Sequence, residues 1–203
     1  MLSSTDIDCA VNVTAKQAVE ISLKTGLENS RQRIHQNCVE ILRGARSGQQ
    51  PQGHYGPGYQ QRPEPSTQQP PPSLQLLPLY SMSLQKNLSL RGGADVRTDE
   101  RAFFQNLLAN MDIEESKVFI YPRMFSIHDM PLDAGTPIDN AEEIPTAGVN
   151  KIRLPSILNL CHERLASEGL FLLENGHDLF LWIGRNVSPA ILDTLFGVHS
   201  LEG

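Results

Sequence analysis

The chain of 203 residues has few of the features that most often identify a function. Its three cysteines, Cys9, Cys38 and Cys161, are widely spaced and form no CxxC pair. Such spacing does not suggest zinc, and three thiols cannot all pair within one chain, so we expect reduced thiols and a cytosolic protein. No apolar run approaches the roughly 20 residues that span a bilayer. The N-terminus also has neither the basic part nor the continuous apolar part of a secretory signal.

Net charge and aromatic content are also too low to indicate a partner. The formal net charge of −6 and the sequence pI near 5.5 exclude a general attraction to nucleic acid or to an anionic membrane. Aromatic residues make up 6% of the chain, with Trp182 as its single tryptophan. A hydrophobic content of 39% permits one core of medium size or two small ones.

Residues with catalytic or metal-binding chemistry are present but do not form a recognisable set. The segment His162-Glu163-Arg164 is not an HExxH motif, because the second histidine four residues later is missing. The other histidines are isolated in the sequence, and we expect ordinary polar or capping roles for them: His35, His54, His128, His177 and His199. The sequence therefore predicts no catalytic, cofactor-binding or metal-ligating residue, no cofactor and no enzymatic activity.

The N-terminal part has the apolar periodicity of helices. Apolar residues recur at helical spacing over 7–21 and 27–42, and Thr25-Gly26 interrupts the pattern, which predicts two helices joined by a tight turn. Further helices are predicted over 76–85 and 99–110, followed by a short one that Pro122 ends or kinks. The apolar side of the helix over 99–110 is predicted to contain Ala102, Phe103, Leu107 and Leu108. Together these patterns predict an all-α domain over residues 5–130.

Two segments have too little apolar content to join a core. Residues 47–73 consist mainly of Gln, Pro, Gly and Ser, and ordering them would cost backbone entropy that no burial offsets, so a disordered insertion is predicted. The three prolines at 70–72 leave a second interpretation open, in which this segment docks as polyproline II into an aromatic groove. Residues 131–150 contain three prolines and few apolar side chains, which predicts a linker between domains.

Residues 151–203 have a different pattern, with two apolar runs on either side of Asn175-Gly176. An Asn-Gly pair between apolar runs indicates a β-hairpin with a type I′ turn. Because the runs do not alternate with polar residues, we expect both faces of the strands to be covered. Ser188 as N-cap, Pro189 in the first turn and Gly197 at the end predict a following helix. The segment is thus predicted to be a small α/β domain with a central β-hairpin, preceded by a short lead-in that contains Leu158, Leu160 and Leu165.

Four strings of residues together resemble a known family. They are TAKQAVEISLKTGLENSRQ at 14–32, LPLYSMSLQKNLSLRGGADVRTDERAFF at 77–104, IYPRMFSIHD at 120–129 and EGLFLLENGHDLFLWIGRNVSPAILDTLFGV at 168–198. In this order they resemble the helical domain and then the gelsolin-like domain of the cargo-adaptor subunits in the Sec twenty-three/twenty-four family of COPII vesicle coat proteins. The resemblance covers nearly all of the chain except residues 47–73.

The resemblance implies a non-enzymatic adaptor of the COPII coat, which scaffolds cargo selection in transport from the endoplasmic reticulum to the Golgi. The implied partners are the sister coat subunit and cargo or SNARE sorting signals, both through the full-length protein, with peripheral association to the endoplasmic reticulum membrane from the cytoplasm. The family's zinc finger and trunk are not found in this sequence, and we expect the chain to be a fragment with an incomplete gelsolin-like domain. The cargo-binding residues are unknown, so no residue is assigned to cargo.

A gelsolin-type protein that binds or regulates actin is the alternative interpretation. The string upstream of the hairpin argues against it, because actin-severing proteins repeat gelsolin modules instead of preceding one with helices. Calcium is not expected either, since the first turn of the helix after the hairpin, Ser188 to Leu192, has no carboxylate. Trp182 is expected in the core, and Arg91 is expected at a junction between a helix and a loop.

Overall fold

The structure is a computed structural model that describes residues 6–47, 70–138 and 152–200. It contains two compact units, Met1–Tyr121 and Pro122–Gly203. The first unit contains α1 (Ile7–Thr25), α2 (Leu27–Ser47), a 3₁₀ turn (Pro72–Leu74), α3 (Leu77–Lys86), α4 (Thr98–Asn110) and α5 (Ile113–Ile120). The second contains β1 (Arg123–Ser126), a 3₁₀ turn (His162–Arg164), β2 (Leu170–Glu174), β3 (Leu179–Ile183) and α6 (Pro189–Phe196). The predicted class, a helical domain followed by a small domain of mixed structure, is confirmed.

The first two helices meet at a glycine, as predicted. Gly26 has φ of 97°, a conformation that costs glycine little, and its N–H donates to the Ser22 carbonyl at 3.0 Å. At the other end of α1, the Asp6 carboxylate accepts the Asp8 N–H at 3.0 Å and caps the helix. The chain therefore reverses at Gly26, and α2 packs back against α1.

The core of the first unit is formed by apolar residues from all five of its helices. The most deeply buried are Ala15, Ala18, Ile34, Leu74, Leu77, Leu84, Leu90 and Leu108. The predicted apolar side of α4 is partly wrong, because Phe103 is 51% exposed whereas Phe104 is buried. Gln105 is buried as well, since its amide donates to the Ser22 hydroxyl at 3.0 Å and to the Ser89 carbonyl at 2.9 Å. These hydrogen bonds allow a polar side chain to occupy a core position.

The buried side chain of Asn12 connects the first helix of the helical unit, α1, with its last helix, α5. Asn12 of α1 is 7% exposed, and its amide donates to the Asp112 carbonyl at 3.0 Å and to the Ser116 hydroxyl at 2.8 Å. Asp112 also caps α5 together with Glu115, each side chain accepting the backbone N–H of the other residue. Asn12 thus fixes the position of α1 relative to the first turn of α5.

The division between the two compact units lies before residue 130, the predicted end of the helical domain. Residues 123–126, expected in the helical domain over 5–130, form β1, which pairs antiparallel with β2 in the second unit. The register places Arg123 opposite Glu174 and Ser126 opposite Phe171. The four residues of β1 become a strand because they gain this partner, which lies more than forty positions later in the sequence. The division between the units accordingly falls at Tyr121 and Pro122.

The structure describes only the first part of the segment predicted as a linker over 131–150, namely residues 131–138. Residues 131–138 lie in the second unit, where the Gly135 N–H donates to the Arg153 carbonyl and the Arg153 N–H donates to the Thr136 carbonyl, both at 2.8 Å. These bonds pair residues 135–136 with Arg153 inside the second unit. Residues 139–150 lie outside the described residues, as does most of the predicted insertion over 47–73. Of the three prolines at 70–72, Pro72 begins the 3₁₀ turn.

The second unit contains the predicted hairpin within a three-stranded antiparallel sheet of order β1-β2-β3. Asn175 and Gly176 lie at the start of its loop, but the loop has four residues, because Glu174 and Leu179 form the last pair of the ladder. The predicted two-residue type I′ turn is therefore wrong. The Asn175 side-chain oxygen accepts the N–H groups of His177 and Asp178 instead, and these bonds stabilise the longer loop.

The expectation that both faces of each strand are covered holds for the first two residues of β2 and fails for β3. Leu170 and Phe171 of β2 are 0% and 3% exposed, whereas Leu179 and Phe180 of β3 are 68% and 56% exposed. Within the described residues β3 has β2 as its one neighbouring strand and forms an edge of the sheet. After β3 the chain enters α6 as predicted, with Pro189 in the first turn and Gly197 in the left-handed conformation at the end. Ser188 occupies the N-cap position, but its side chain makes none of the predicted capping hydrogen bonds.

Replacement of Asn12 by alanine should destabilise the helical unit. The change removes two hydrogen bonds from a buried site, and we expect a loss of about 1 to 2 kcal/mol in the free energy of unfolding. Chemical denaturation followed by far-ultraviolet circular dichroism measures it. Asn37→Ala is the matched control, because Asn37 makes its hydrogen bond to Gln17 at an exposed position. An Asn12→Ala loss no larger than that of Asn37→Ala would contradict the role of Asn12.

Replacement of Gly184 by alanine should destabilise the second unit. An added Cβ would lie 2.1 Å from the Ser167 carbonyl oxygen and 2.9 Å from that of Gly169, and both are backbone atoms that cannot easily move. We expect the free energy of unfolding of this unit to fall by about 1 to 3 kcal/mol. The near-ultraviolet dichroism of Trp182 should then be lost at a lower denaturant concentration than in the parent chain. Gly44→Ala in α2 is the control, since nothing lies within 4 Å of its added Cβ. That helical substitution should be neutral or stabilising by roughly 0.5 to 1 kcal/mol.

Candidate functional site

The residues with catalytic chemistry are spread over the structure. His162, Glu163 and Arg164 form an exposed 3₁₀ turn, and His199 lies 3.7 Å from the Asp193 carboxylate on the surface. His128 contacts the start of β2, where its Nδ1 lies 3.1 Å from the Leu170 N–H nitrogen. In the part of the chain that the structure describes, no three His, Cys, Asp or Glu side chains lie close enough together to hold a metal ion. His54 lies outside that part.

Arg91 and Trp182, which the sequence singles out, both have structural contacts. Arg91 follows α3, and its guanidinium lies 2.6 Å from the Asp95 carboxylate, so it is at a junction between a helix and a loop. Trp182 of β3 packs against Phe171 of β2, with ring centroids 5.6 Å apart. It is only partly buried, whereas the sequence predicted a core residue.

A groove beside Trp182 is lined almost entirely by apolar side chains. Its volume is about 430 Å³, and it lies between the sheet and the segment that precedes β2. One wall is the face of the sheet that carries Leu173, Phe180 and Trp182, and the other contains Leu160 and Leu165. Cys161 and His162 add its few polar atoms. Such a lining suits apolar side chains of a partner and offers little to an ion or a sugar.

The groove continues into the exposed side chains of β3. Leu179 and Phe180 are more than half exposed, and Leu181 is 42% exposed. Within the described residues β3 forms an edge of the sheet. Apolar surface next to a strand edge is typical of a site where another protein segment binds. The second unit thus presents an apolar surface, and its described residues bring no three metal-ligating side chains together.

Three charged side chains of the helical unit, Lys117, Asp8 and Glu114, form a cluster of ion pairs. Lys117 of α5 lies 2.8 Å from the Asp8 carboxylate and 3.4 Å from that of Glu114. Burial alone would lower the pKa of Lys117, but its bonds to the two carboxylates outweigh this effect and leave that pKa above its usual value. Burial raises the pKa of nearby Tyr80. Both shifts move the pKa of the group further above pH 7, so neither Lys117 nor Tyr80 can exchange a proton readily near pH 7.

The sequence missed the groove because its second wall comes from residues interpreted only as a lead-in. Leu158 and Leu160 are separated by the polar Asn159, but Ile157 directly precedes Leu158, so the sequence has no clear alternation there. In the structure Leu158 forms an isolated bridge with Met124 of β1. The position of this segment beside the sheet therefore depends on β1, which the sequence did not reveal.

Comparison with protein families divides the chain into two known modules. Residues 6–118 match the family described as the Sec23/Sec24 helical domain. Residues 151–203 match the gelsolin repeat. Among the helices that the structure describes, none combines the length and the apolar character that a membrane crossing requires.

Individual relatives carry the same two modules as part of longer proteins. The chain is 34% identical over 96% of its length to the protein transport protein SEC24 of Coccidioides immitis, and 35% identical over 94% to that of Pyricularia oryzae. It spans about a fifth of the length of these relatives, 19% and 18%. The crystal structure of the human COPII-coat protein Sec24c matches 98% of the chain with a TM-score of 0.74 and 28% sequence identity, and the match covers 22% of that protein.

The family match over residues 6–118 covers more than half of the 203 residues. The chain therefore belongs to the Sec23/Sec24 family.

Proposed function

We propose that the protein acts as part of a cargo adaptor in the COPII vesicle coat, in transport from the endoplasmic reticulum to the Golgi. One observation carries the proposal, namely that a helical domain of this family and a single gelsolin repeat follow each other in one chain, in the arrangement of the human coat protein. Relatives named protein transport proteins match along nearly the whole chain, which supports the same function.

The proposed mechanism is scaffolding without catalysis and without a cofactor. A packed helical unit provides a rigid support, and the second unit offers an apolar groove and an exposed strand, which are surfaces for protein contacts. The partners we propose are the sister coat subunit and the sorting signals of cargo or SNARE proteins, reached through the full-length protein. The proposed location is the cytoplasmic side of endoplasmic reticulum exit sites, with no nucleic acid involved.

The gelsolin-type alternative is less well supported. The gelsolin repeat covers residues 151–203 alone, whereas the larger part of the chain matches a helical domain of coat proteins. Among the described residues, the first turn of α6 contains no acidic side chain that would provide calcium ligands there.

A chimera tests the proposal. The segment of the Aspergillus niger relative that matches this chain is replaced by the 203 residues, in a strain that depends on the chimera for growth. We expect growth and secretion of a reporter protein to continue, because the fold of the segment is shared. A chimera that accumulates normally while the reporter stays in the endoplasmic reticulum would contradict the proposal.

Two variants show whether the chimera depends on this segment. Ala15 is 0% exposed, and Ala15→Asp places a charge in the helical core, so the chimera should lose secretion. Lys16→Asp makes a change next to it at an exposed position and should leave secretion intact. Sedimentation of the chain with actin filaments addresses the alternative, and we expect it to stay in the supernatant.

A further inference from the structure

The loop between β2 and β3 places reactive groups around one amide. Asn175 is followed by Gly176, the one Asn-Gly pair of the chain, and glycine leaves its backbone nitrogen open to approach. The Gly176 N–H donates to the Glu174 carboxylate, with the nitrogen 2.7 Å from Oε1. A carboxylate within hydrogen-bond distance of a proton has the position of a general base.

The side-chain amide of Asn175 is polarised in the same loop. Its oxygen Oδ1 accepts the His177 N–H at 2.9 Å and the Asp178 N–H at 2.6 Å. Two backbone donors that converge on one carbonyl oxygen stabilise the negative charge that develops there when a nucleophile attacks the carbon. Asn175 thus has an arrangement of donors that resembles an oxyanion hole.

The loop holds these groups in place. The Asn175 N–H donates to the Asp178 carbonyl at 3.2 Å, and Glu174 and Leu179 close the loop as the last pair of the ladder. The second carboxylate oxygen of Glu174 accepts the Arg123 Nε–H at 2.7 Å, and the Glu174 side chain is 19% exposed. A fixed base, nucleophile and electrophile within three consecutive residues lower the entropic cost of their reaction.

The geometry points to Asn175 as a site of self-catalysed deamidation, with water as the co-reactant. Glu174 takes the proton of the Gly176 nitrogen, which attacks Cγ of Asn175 and forms a bond to it. Collapse of the tetrahedral species breaks the bond from Cγ to Nδ2, and the nitrogen leaves as ammonia with the proton that Glu174 returns. Water then opens the cyclic imide to aspartate or, through the other carbonyl, to isoaspartate. No group is oxidised or reduced.

The product changes the hairpin locally. A new carboxylate at position 175 stands between Glu174 and Asp178, and like charges in close proximity repel. Isoaspartate also adds a carbon atom to the backbone inside a loop of four residues, which alters the register set by Glu174 and Leu179. The exposed apolar strand β3 follows directly, so modification at Asn175 affects the same surface as the groove.

The first test compares folded and unfolded chains of identical sequence. The full chain is kept at neutral pH, either native or in guanidinium chloride, and conversion at Asn175 is followed by peptide mass spectrometry and by labelling with an isoaspartyl methyltransferase. We expect the native chain to react about tenfold faster, because base and donors are positioned only in the fold. Asn186 in the same unit is the internal standard. A native rate equal to or below the unfolded rate would overturn the inference.

The second test removes the base. Glu174→Gln should reduce the native rate to about that of the unfolded chain, since an amide cannot take the proton. Arg123→Met releases the other oxygen of Glu174 and keeps the carboxylate, so its native rate should lie between those of the parent chain and Glu174→Gln. Near-ultraviolet dichroism of Trp182 reports whether each variant is folded. Equal native rates for Glu174→Gln and the parent chain would exclude Glu174 as the base. If a variant fails to fold, the comparison of native and unfolded parent chains still tests the inference, because it uses no variant.

Discussion

Burial of one face of α1 is the constraint on which the helical unit depends. This helix packs against α2, α3, α4 and α5, and its contact face consists of Val11, Ala15, Ala18 and Val19, each at most 4% exposed. Alanine at the two central positions lets neighbouring helices approach closely, so a larger side chain there would push several elements apart at once. The polar bonds of Asn12 then fix the position of α1 along its axis, which apolar contact alone does not specify.

The second unit depends in the same way on β2, which has a strand on each side. Its pairing with β1 brings together residues far apart in sequence, and the ion pair of Arg123 with Glu174 lies at the end of that ladder. Because β2 is central, Leu170 and Phe171 are enclosed. The neighbouring β3 has a partner on one side among the described residues and keeps its apolar side chains at the surface. These side chains and the groove together form an apolar surface of the unit.

Local signals in the sequence predicted the elements that are set by local physics. Helical periodicity, Gly26 between two helices and the sequence from Ser188 to Gly197 were all confirmed. The strand β1 was missed because four residues next to a proline acquire their conformation only through a distant partner. The sequence also failed to predict that Phe103 is exposed while Phe104 is buried, and that the side chains of β3 are exposed. An apolar run does not indicate which of its sides has a neighbour. The groove combines both kinds of information and was therefore not predictable from one sequence.

The position of Cys38 gives the helical unit an internal chemical reporter. Its thiol is buried in the layer between α1 and α2, whereas Cys9 and Cys161 are exposed, and all three are free. A buried thiol reacts with an alkylating reagent only during moments when the surrounding helices separate. The ratio of slow to fast alkylation within a single molecule therefore measures how often these two helices separate, with no substitution in the chain.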